Sequence, residues 1–309
     1  MSSSVSATVS PGEVDLHMHS TASDGSLPPS QVVQAAHAAG LAAIALTDHD
    51  TLAGLAEATA EGGALGVRVV PAVELSAHDG NREIHILALH ISDHPLIEGR
   101  LSGFRQARET RAALIVQRLG QMKIDVPLEM VMEEAAGGAV GRPHIARAMV
   151  RTGIVSDQRE AFDQYLAAGR PGFVEKERLE IREAIELAHA AGGLAIWAHP
   201  GTEGRRARVE PLVALGLDGL EVLHPSHKVE DIKRLGALAD FFGVVASGGS
   251  DWHGYTGGYR SIGCMHVPEA WLSIQDQLVA RRSSGAEAGN APGRDLPPTS
   301  STRESDVVL

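Results

Sequence analysis

Two stretches far apart in the chain share one plan: AHAAGLAAIALTDH at 36–49 and AHAAGGLAIWAHP at 188–200. In each, a helical pattern ends in His-Ala-Ala-Gly, with the glycine as terminator. An apolar run of strand character follows and exits at a histidine. A helix-to-strand unit used twice calls for a sheet whose strands are joined by helical crossovers. The same rhythm continues elsewhere. Short apolar runs at Val14–Met18, Ala42–Thr47, Val67–Val73, Ile84–His90, Leu194–Ala198, Gly219–Leu223 and Val244–Ser247 read as strands. Helical periodicity fills about 29–39, 51–65, 178–191, 208–215, 227–242 and 268–282. The expected class is α/β, with a parallel sheet either open or closed into a barrel.

The stretch 98–176 departs from this rhythm. It reads as consecutive helices without a strand, at about 95–122, 127–136, 143–152 and 157–166. A small all-helical insertion is expected there, overhanging the strand ends as a cap. Residues 1–12 and 283–309 are too rich in Ser, Gly, Pro and Thr to pack a core and are expected as disordered tails. The barrel would then be built from 13–97 and 177–282.

Composition removes several function classes. Net charge is −12, which disfavours binding a long nucleic acid duplex. The single cysteine, Cys264, allows neither an internal disulfide nor a thiolate zinc site. The start of the chain lacks the basic and apolar segments of a signal peptide, and no apolar run approaches the ~18 residues of a membrane span. A cytoplasmic protein without membrane contact is expected.

The polar residues at the strand ends carry the chemistry. In VDLHMHS, strand alternation would put Val14, Leu16 and Met18 on one face and Asp15, His17 and His19 on the other. Two imidazoles on one face can reach one ion. Asp24 follows in the next loop, His49 ends the second strand and Glu74 ends the third. His85 lies in the fourth, His199 ends another, and Asp251 and His253 follow the last. Six histidines and three carboxylates distributed over strand exits point to a multinuclear metal site. Imidazole and carboxylate without thiolate suit Mn best, with Fe or Zn as alternatives, over Ca.

The motifs DLHMHSTASDG, LTDHDT, VELS, AHP and GSDWHG resemble those of the PHP family, the polymerase and histidinol phosphatase phosphoesterases. The resemblance covers 14–90 and 190–254 and implies a distorted (β/α)7 barrel holding three metals. By that resemblance His17, His19, Glu74 and Asp251 bind one ion, and Glu74 bridges to a second held by His85 and His199. Asp24, His49 and His253 hold the third, and Asp24 and His49 also border the substrate. The implied activity is metal-dependent hydrolysis of a phosphoester.

Substrate choice is expected from the insertion. In GRPHIARAM, Pro143 suits a first helical turn, and Arg142 and His144 are candidate phosphate contacts. The segment, with EVLHPSH, resembles the PHP subgroup of nucleoside 3′,5′-bisphosphate phosphatases and enzymes that trim 5′ nucleotides from short RNA. His224, after an apolar strand, is a candidate to contact phosphate or protonate the leaving oxygen, with Arg142 as its partner in catalysis. Glu221 and Asp48 are candidates to support the ligands, Asp15 to orient an imidazole, and Asp50 to cap the helix expected from Thr51. The expected substrate is a small nucleotide bisphosphate. A short-RNA exonuclease, a histidinol-phosphate-type phosphatase and a non-catalytic binding domain are the rivals.

Overall fold

A computed structural model describes residues 12–135, 140–175, 178–254 and 260–285. The expected tails therefore lie almost wholly outside the described residues. The chain divides into two compact units, one formed by 1–97 with 179–309 and the other by 98–178.

The first unit is a mixed α/β structure around a nearly closed sheet. Its strands are β1 (Glu13–Met18), β2 (Ala43–Leu46), β3 (Arg68–Asp79), β4 (Arg82–Leu89), β5 (Leu179–Glu180), β6 (Leu194–Trp197), β7 (Gly219–Leu223), β8 (Val245–Gly248) and β9 (Val267–Pro268). The spatial order is β8-β7-β6-β4-β3-β2-β1-β9, with the short β5 beside β3. The sheet curls until the segment leaving β8 meets β1. There Asp251 N donates to His17 O at 2.8 Å and His19 N to Trp252 O at 2.9 Å. This closure brings the first and last donor motifs of the sequence side by side.

Helices α1 (Pro29–Ala39), α2 (Leu55–Leu65), α7 (Ile181–Ala190), α8 (Arg206–Ala214) and α9 (Val229–Phe242) connect successive strands, and α10 (Glu269–Ser283) follows the last one. Glycines in the left-handed region end three of them, Gly40 (φ 80°), Gly66 (φ 74°) and Gly243 (φ 65°), where a Cβ would be strained. One core cluster joins Leu16, Ala45, Val70, Leu87, Ile196 and Val245 across the strands and reaches Leu272 of α10. A second packs Met18, Ile44 and Leu46 against Val32 and Val33 of α1 and Ala58 of α2.

Three details differ from the sequence expectation. The sheet is not all parallel, because β4 runs antiparallel to both β3 and β6. β3 continues six residues past Val73 to Asp79 and turns back through Gly80 (φ 62°) and Asn81. A two-residue Gly-Asn loop favours a hairpin over a helical crossover. The reversal places the start of β4, and with it His85, at the rim where the parallel strands end. The strict alternation in β1 is also broken, by a register shift between Asp15 and Met18. Leu16 consequently joins the core across the strands while Met18 turns to the helices. Finally, α2 begins at Leu55 after Gly54, so Asp50 does not cap it. Asp50 instead has φ 51° and its carboxylate accepts Ser76 N at 2.9 Å.

The second unit is helical. It holds most of α3 (His94–Gln121), then α4 (Leu128–Ala135), α5 (Arg142–Arg151) and the short α6 (Gln158–Ala161), which runs into a wider turn at Phe162–Leu166. Ile115, Leu119, Val131, Ile145, Met149 and Leu166 form its own core. Among the described residues no helix is long and apolar enough to cross a membrane.

Candidate metal centre

The nine expected donors meet at one rim of the sheet. Glu74, buried in mid-β3, stands at the centre. Its Oε2 lies 3.1 Å from His17 Nε2, 3.2 Å from His19 Nε2 and 3.4 Å from His49 Nδ1. Its Oε1 lies 2.7 Å from His85 Nδ1 and 3.0 Å from His199 Nε2. Asp251 Oδ1 is 3.5 Å from His17 Nε2 and 3.2 Å from His19 Nε2. Asp24, on its half-exposed loop, stands 3.4 Å from His253 Nε2, 3.7 Å from His19 Nδ1 and 3.9 Å from His49 Nε2.

The local backbone is bent to present these groups. His199 (φ 34°) and Asp251 (φ 50°) both occupy the left-handed region, which strains a residue bearing a Cβ and is tolerated where the surroundings fix it. At His199 the fixing group is Glu221, whose Oε2 accepts the His199 backbone N–H at 2.5 Å. Asp48 holds the loop carrying Asp24 by accepting Ser20 N and Ser20 Oγ, both at 2.7 Å, and Ser23 Oγ at 2.6 Å. Asp15 does not orient an imidazole ring. It accepts the backbone amides of Ser250 and Gly263, each at 2.9 Å, and so fastens the segments before and after the last motif.

Proton positions decide whether this donor set suits a cation. Glu221 Oε1 accepts a hydrogen bond from His17 Nδ1–H at 2.9 Å, which leaves a lone pair on Nε2 of a neutral His17. That lone pair faces a carboxylate oxygen of Glu74 at 3.1 Å and His19 Nε2 at 3.1 Å. His19 Nδ1 and His49 Nδ1 are buried without a hydrogen bond. Converging lone pairs and buried carboxylates repel one another until a proton or a metal ion sits among them. The residues therefore fit divalent cations, and among the described residues four clusters of at least three donors have their ligand atoms within 4.8 Å of one another.

Without metal, protons take that place. Burial opposes a charged His17, but the carboxylates of Glu221 and Glu74 outweigh it and hold its pKa well above the usual value. Against the same burial, Glu74 and Glu83 push His85 up to about 10. Burial would raise Glu221, yet the charges of His17, His224 and His199 bring it down to about 2. His49 and His224 go the other way, lowered mainly by burial.

His224 has a defined tautomer. Its Nδ1 accepts Ser226 N–H at 3.1 Å, so the ring proton resides on Nε2, 3.3 Å from Asp251 Oδ2. A donor at Nε2 does not ligate through that atom. His227, beside it, is structural, donating from Nδ1 to Val222 O at 2.9 Å and accepting Gly201 N at 3.1 Å.

Arg142 and His144 lie in the helical unit. The Arg142 guanidinium reaches Leu166 O at 3.2 Å and sits 5.7 Å and 5.4 Å from the ring centres of Phe162 and Phe173. His144 Nδ1 accepts Gly141 N at 2.9 Å and closes the first turn of its own helix. Sequence reasoning missed Arg260, whose Nη1 contacts Asp251 Oδ2 directly. No motif surrounds it.

Close approach of two backbones leads to one test. A Cβ added to Gly249 would stand 2.4 Å from His17 Cβ and 2.5 Å from His17 N. Gly249→Ala is expected to push His17 out of register, destabilising the fold by about 1–3 kcal/mol and weakening metal retention. Thermal melting and elemental analysis of the dialysed variant check both effects.

The PHP domain profile matches residues 15–119. The chain is 36% identical over 276 residues to the 3′,5′-nucleoside bisphosphate phosphatase of Chromobacterium violaceum, covering 87% of this chain and 97% of that protein. It is 39% identical over 247 residues to the 5′-3′ exoribonuclease Rnm of Escherichia coli, covering 77% of this chain and 84% of that one. A solved structure from Bifidobacterium adolescentis, taken to be a metal-dependent phosphoesterase, has a TM-score of 0.67 at 29% identity and covers 86% of this chain and 96% of its own. The donor cluster and these relatives lead to one conclusion: the chain belongs to the PHP family of metal-dependent phosphoesterases and is a hydrolase of phosphoester bonds.

Proposed function

We propose that the chain removes the 3′-phosphate from nucleoside 3′,5′-bisphosphates, within a distorted (β/α)7 barrel that holds three divalent cations, Mn foremost. The observation that carries the reading is Glu74, one buried carboxylate whose two oxygens face different histidine sets. His17, His19, Glu74 and Asp251 would hold one ion, Glu74 with His85 and His199 a second, and Asp24, His49 and His253 the third. Cations bound there supply Lewis acidity to phosphoryl oxygens and a water nucleophile at neutral pH.

The remaining steps belong to the chain's own groups. Glu221 keeps the His17 proton on Nδ1, so that Nε2 stays available to a ligand. Asp48 and Ser20 hold the loop that carries Asp24 at the site. The backbone N–H of Ser226 leaves His224 with its N–H at Nε2, and we assign that N–H to hydrogen-bond the leaving oxygen.

A second reading has a specific observation behind it, the 39% identity to the exoribonuclease Rnm. A net charge of −12 disfavours long polymers and leaves short oligonucleotides accessible. One assay separates the two. Mn-loaded protein is given 3′-phospho-AMP, a 5′-phosphorylated RNA oligomer and histidinol phosphate at equal concentration. The bisphosphate is expected to turn over fastest, by about tenfold or more in kcat/KM, the low end of what differential binding in a pocket supplies. Faster stepwise shortening of the oligomer would favour the exonuclease. Faster release of phosphate from histidinol phosphate would refute both nucleotide readings.

A further inference from the structure

The backbone that presents His199 is bent twice within three residues. His199 has φ 34° and Gly201 has φ 47°. Pro200 stands between them, and Gly201–Glu203 form a single 3-10 turn. One turn of this kind makes too few hydrogen bonds to hold itself. A strained conformation persists only where its surroundings over-determine it. Glu221 fixes the start of the segment through the His199 amide.

The far end is fixed from α9. Arg234 Nε donates to Gly204 O at 2.9 Å, and its Nη2 donates to Gly201 O at 2.7 Å. The same Nη2 donates to Asp231 Oδ1 at 2.6 Å, one helical turn earlier. Asp231 is held in its turn, because its Oδ2 accepts Lys228 N at 3.1 Å and its side chain is 5% exposed. His227 adds a tie from beside β7, with Nδ1 on Val222 O and Nε2 accepting Gly201 N. The turn lies directly against α9, since a Cβ added to Gly204 would stand 2.4 Å from Leu235 Cδ2. One planar guanidinium edge laid across two carbonyls is a two-point tie, which the rotating ammonium of lysine does not copy.

We infer that Arg234 is a positioning residue for the metal centre: by fixing Gly201 and Gly204 it holds His199 where its Nε2 meets Glu74 Oε1, 3.0 Å away. Its hydrogen-bond partners are two carbonyls and Asp231, so it acts through His199. The inference rests on the proposed ion held by Glu74, His85 and His199.

The test compares full-length wild type with Arg234→Met, which keeps an unbranched stem and removes the donors, and with Arg234→Lys. Mn is titrated into metal-free protein. In Arg234→Met one site is expected to weaken about ten- to a hundredfold, the scale of removing an outer partner of a metal ligand, while the remaining Mn binds as in wild type. The kcat at limiting Mn should fall with it and recover at high Mn, with KM for the ester unchanged. Arg234→Lys should regain part of the affinity, because an ammonium can reach one carbonyl. Hydrogen exchange of the metal-free proteins gives a readout independent of turnover. The 199–204 segment should exchange about tenfold faster in Arg234→Met, the scale of one lost hydrogen bond, while the segments carrying His17 and Asp251 keep their rates. Wild-type affinity at every site in Arg234→Met would overturn the inference. So would equal weakening of all sites with faster exchange throughout, the pattern of a general loss of stability. Wild-type protein that takes up no Mn would sink the proposed centre and the metal role of Arg234 together, whereas normal wild-type uptake with an unaltered variant sinks this inference alone.

Discussion

Glu74→Gln is expected to lose phosphoester hydrolysis by about a thousandfold or more, on the scale of removing a preorganised electrostatic group, and to lose bound metal with it. Glutamine keeps the shape of the side chain and removes its charge. One of its two positions becomes an N–H2 donor. Glu74 serves three imidazoles through Oε2 and two through Oε1, so whichever way the amide turns, one set faces a donor instead of an acceptor. The backbone of β3 pairs with β2 and β4 regardless of this side chain, so the fold should persist. Far-UV circular dichroism, elemental analysis and turnover on one variant separate these effects. A folded Glu74→Gln protein with full metal and near wild-type turnover would remove Glu74 from the centre of the mechanism.

The stability that bound metal adds should grow with pH, while that of the metal-free protein falls above neutrality. In the metal-free state His17 and His85 lie above their unfolded value of 6.5, held there by neighbouring carboxylates. Their contribution is complete below pH 6.5 and is lost as pH rises, for His85 through about 10. Glu221 and Asp24 lie at about 2, below unfolded values of 4.5 and 3.8. Their contribution is present above those values and is lost as pH falls through about 2. His49 and His224, lowered by burial, subtract stability below pH 6.5. Metal-free protein should therefore be most stable between about pH 4.5 and 6.5 and weaken towards pH 9. Metal competes with protons for the same atoms, so the gain in melting temperature on adding Mn should grow with pH. Melting curves with and without chelator at mildly acidic and mildly alkaline pH measure both slopes. Metal-free protein that becomes more stable from pH 6.5 to 9 would contradict the proton-for-metal exchange.

Much of this is legible in the sequence, for a physical reason. Chemistry at a sheet's rim must be carried by residues where apolar strands stop, so His49, His199 and Asp251 announce themselves by following buried runs. Helix ends were equally legible, because Gly40, Gly66 and Gly243 occupy backbone conformations that other residues resist. What the rhythm concealed was direction. Gly80 and Asn81 form a tight turn, and reading Val67–Val73 as a complete strand skipped the six further residues that lead to it. Asp50 misled because a carboxylate before a helical pattern suits a cap, whereas its actual partner is an amide on the neighbouring strand, which tertiary pairing supplies. Arg260 had no local signature at all, since its meaning comes from Asp251 nine residues earlier and from the imidazoles that strands on the far side of the chain bring to that carboxylate.

In the proposed centre Glu74 is shared between cations. Anomalous diffraction from crystals grown with Mn, recorded at the metal's absorption edge, would locate those cations. The expected result is at least two peaks, each about 2.0–2.2 Å from imidazole or carboxylate donors, one bounded by His17, His19 and Asp251, the next by His85 and His199, with a Glu74 oxygen on each. Peaks absent from this rim, or a Glu74 that touches none of them, would contradict it.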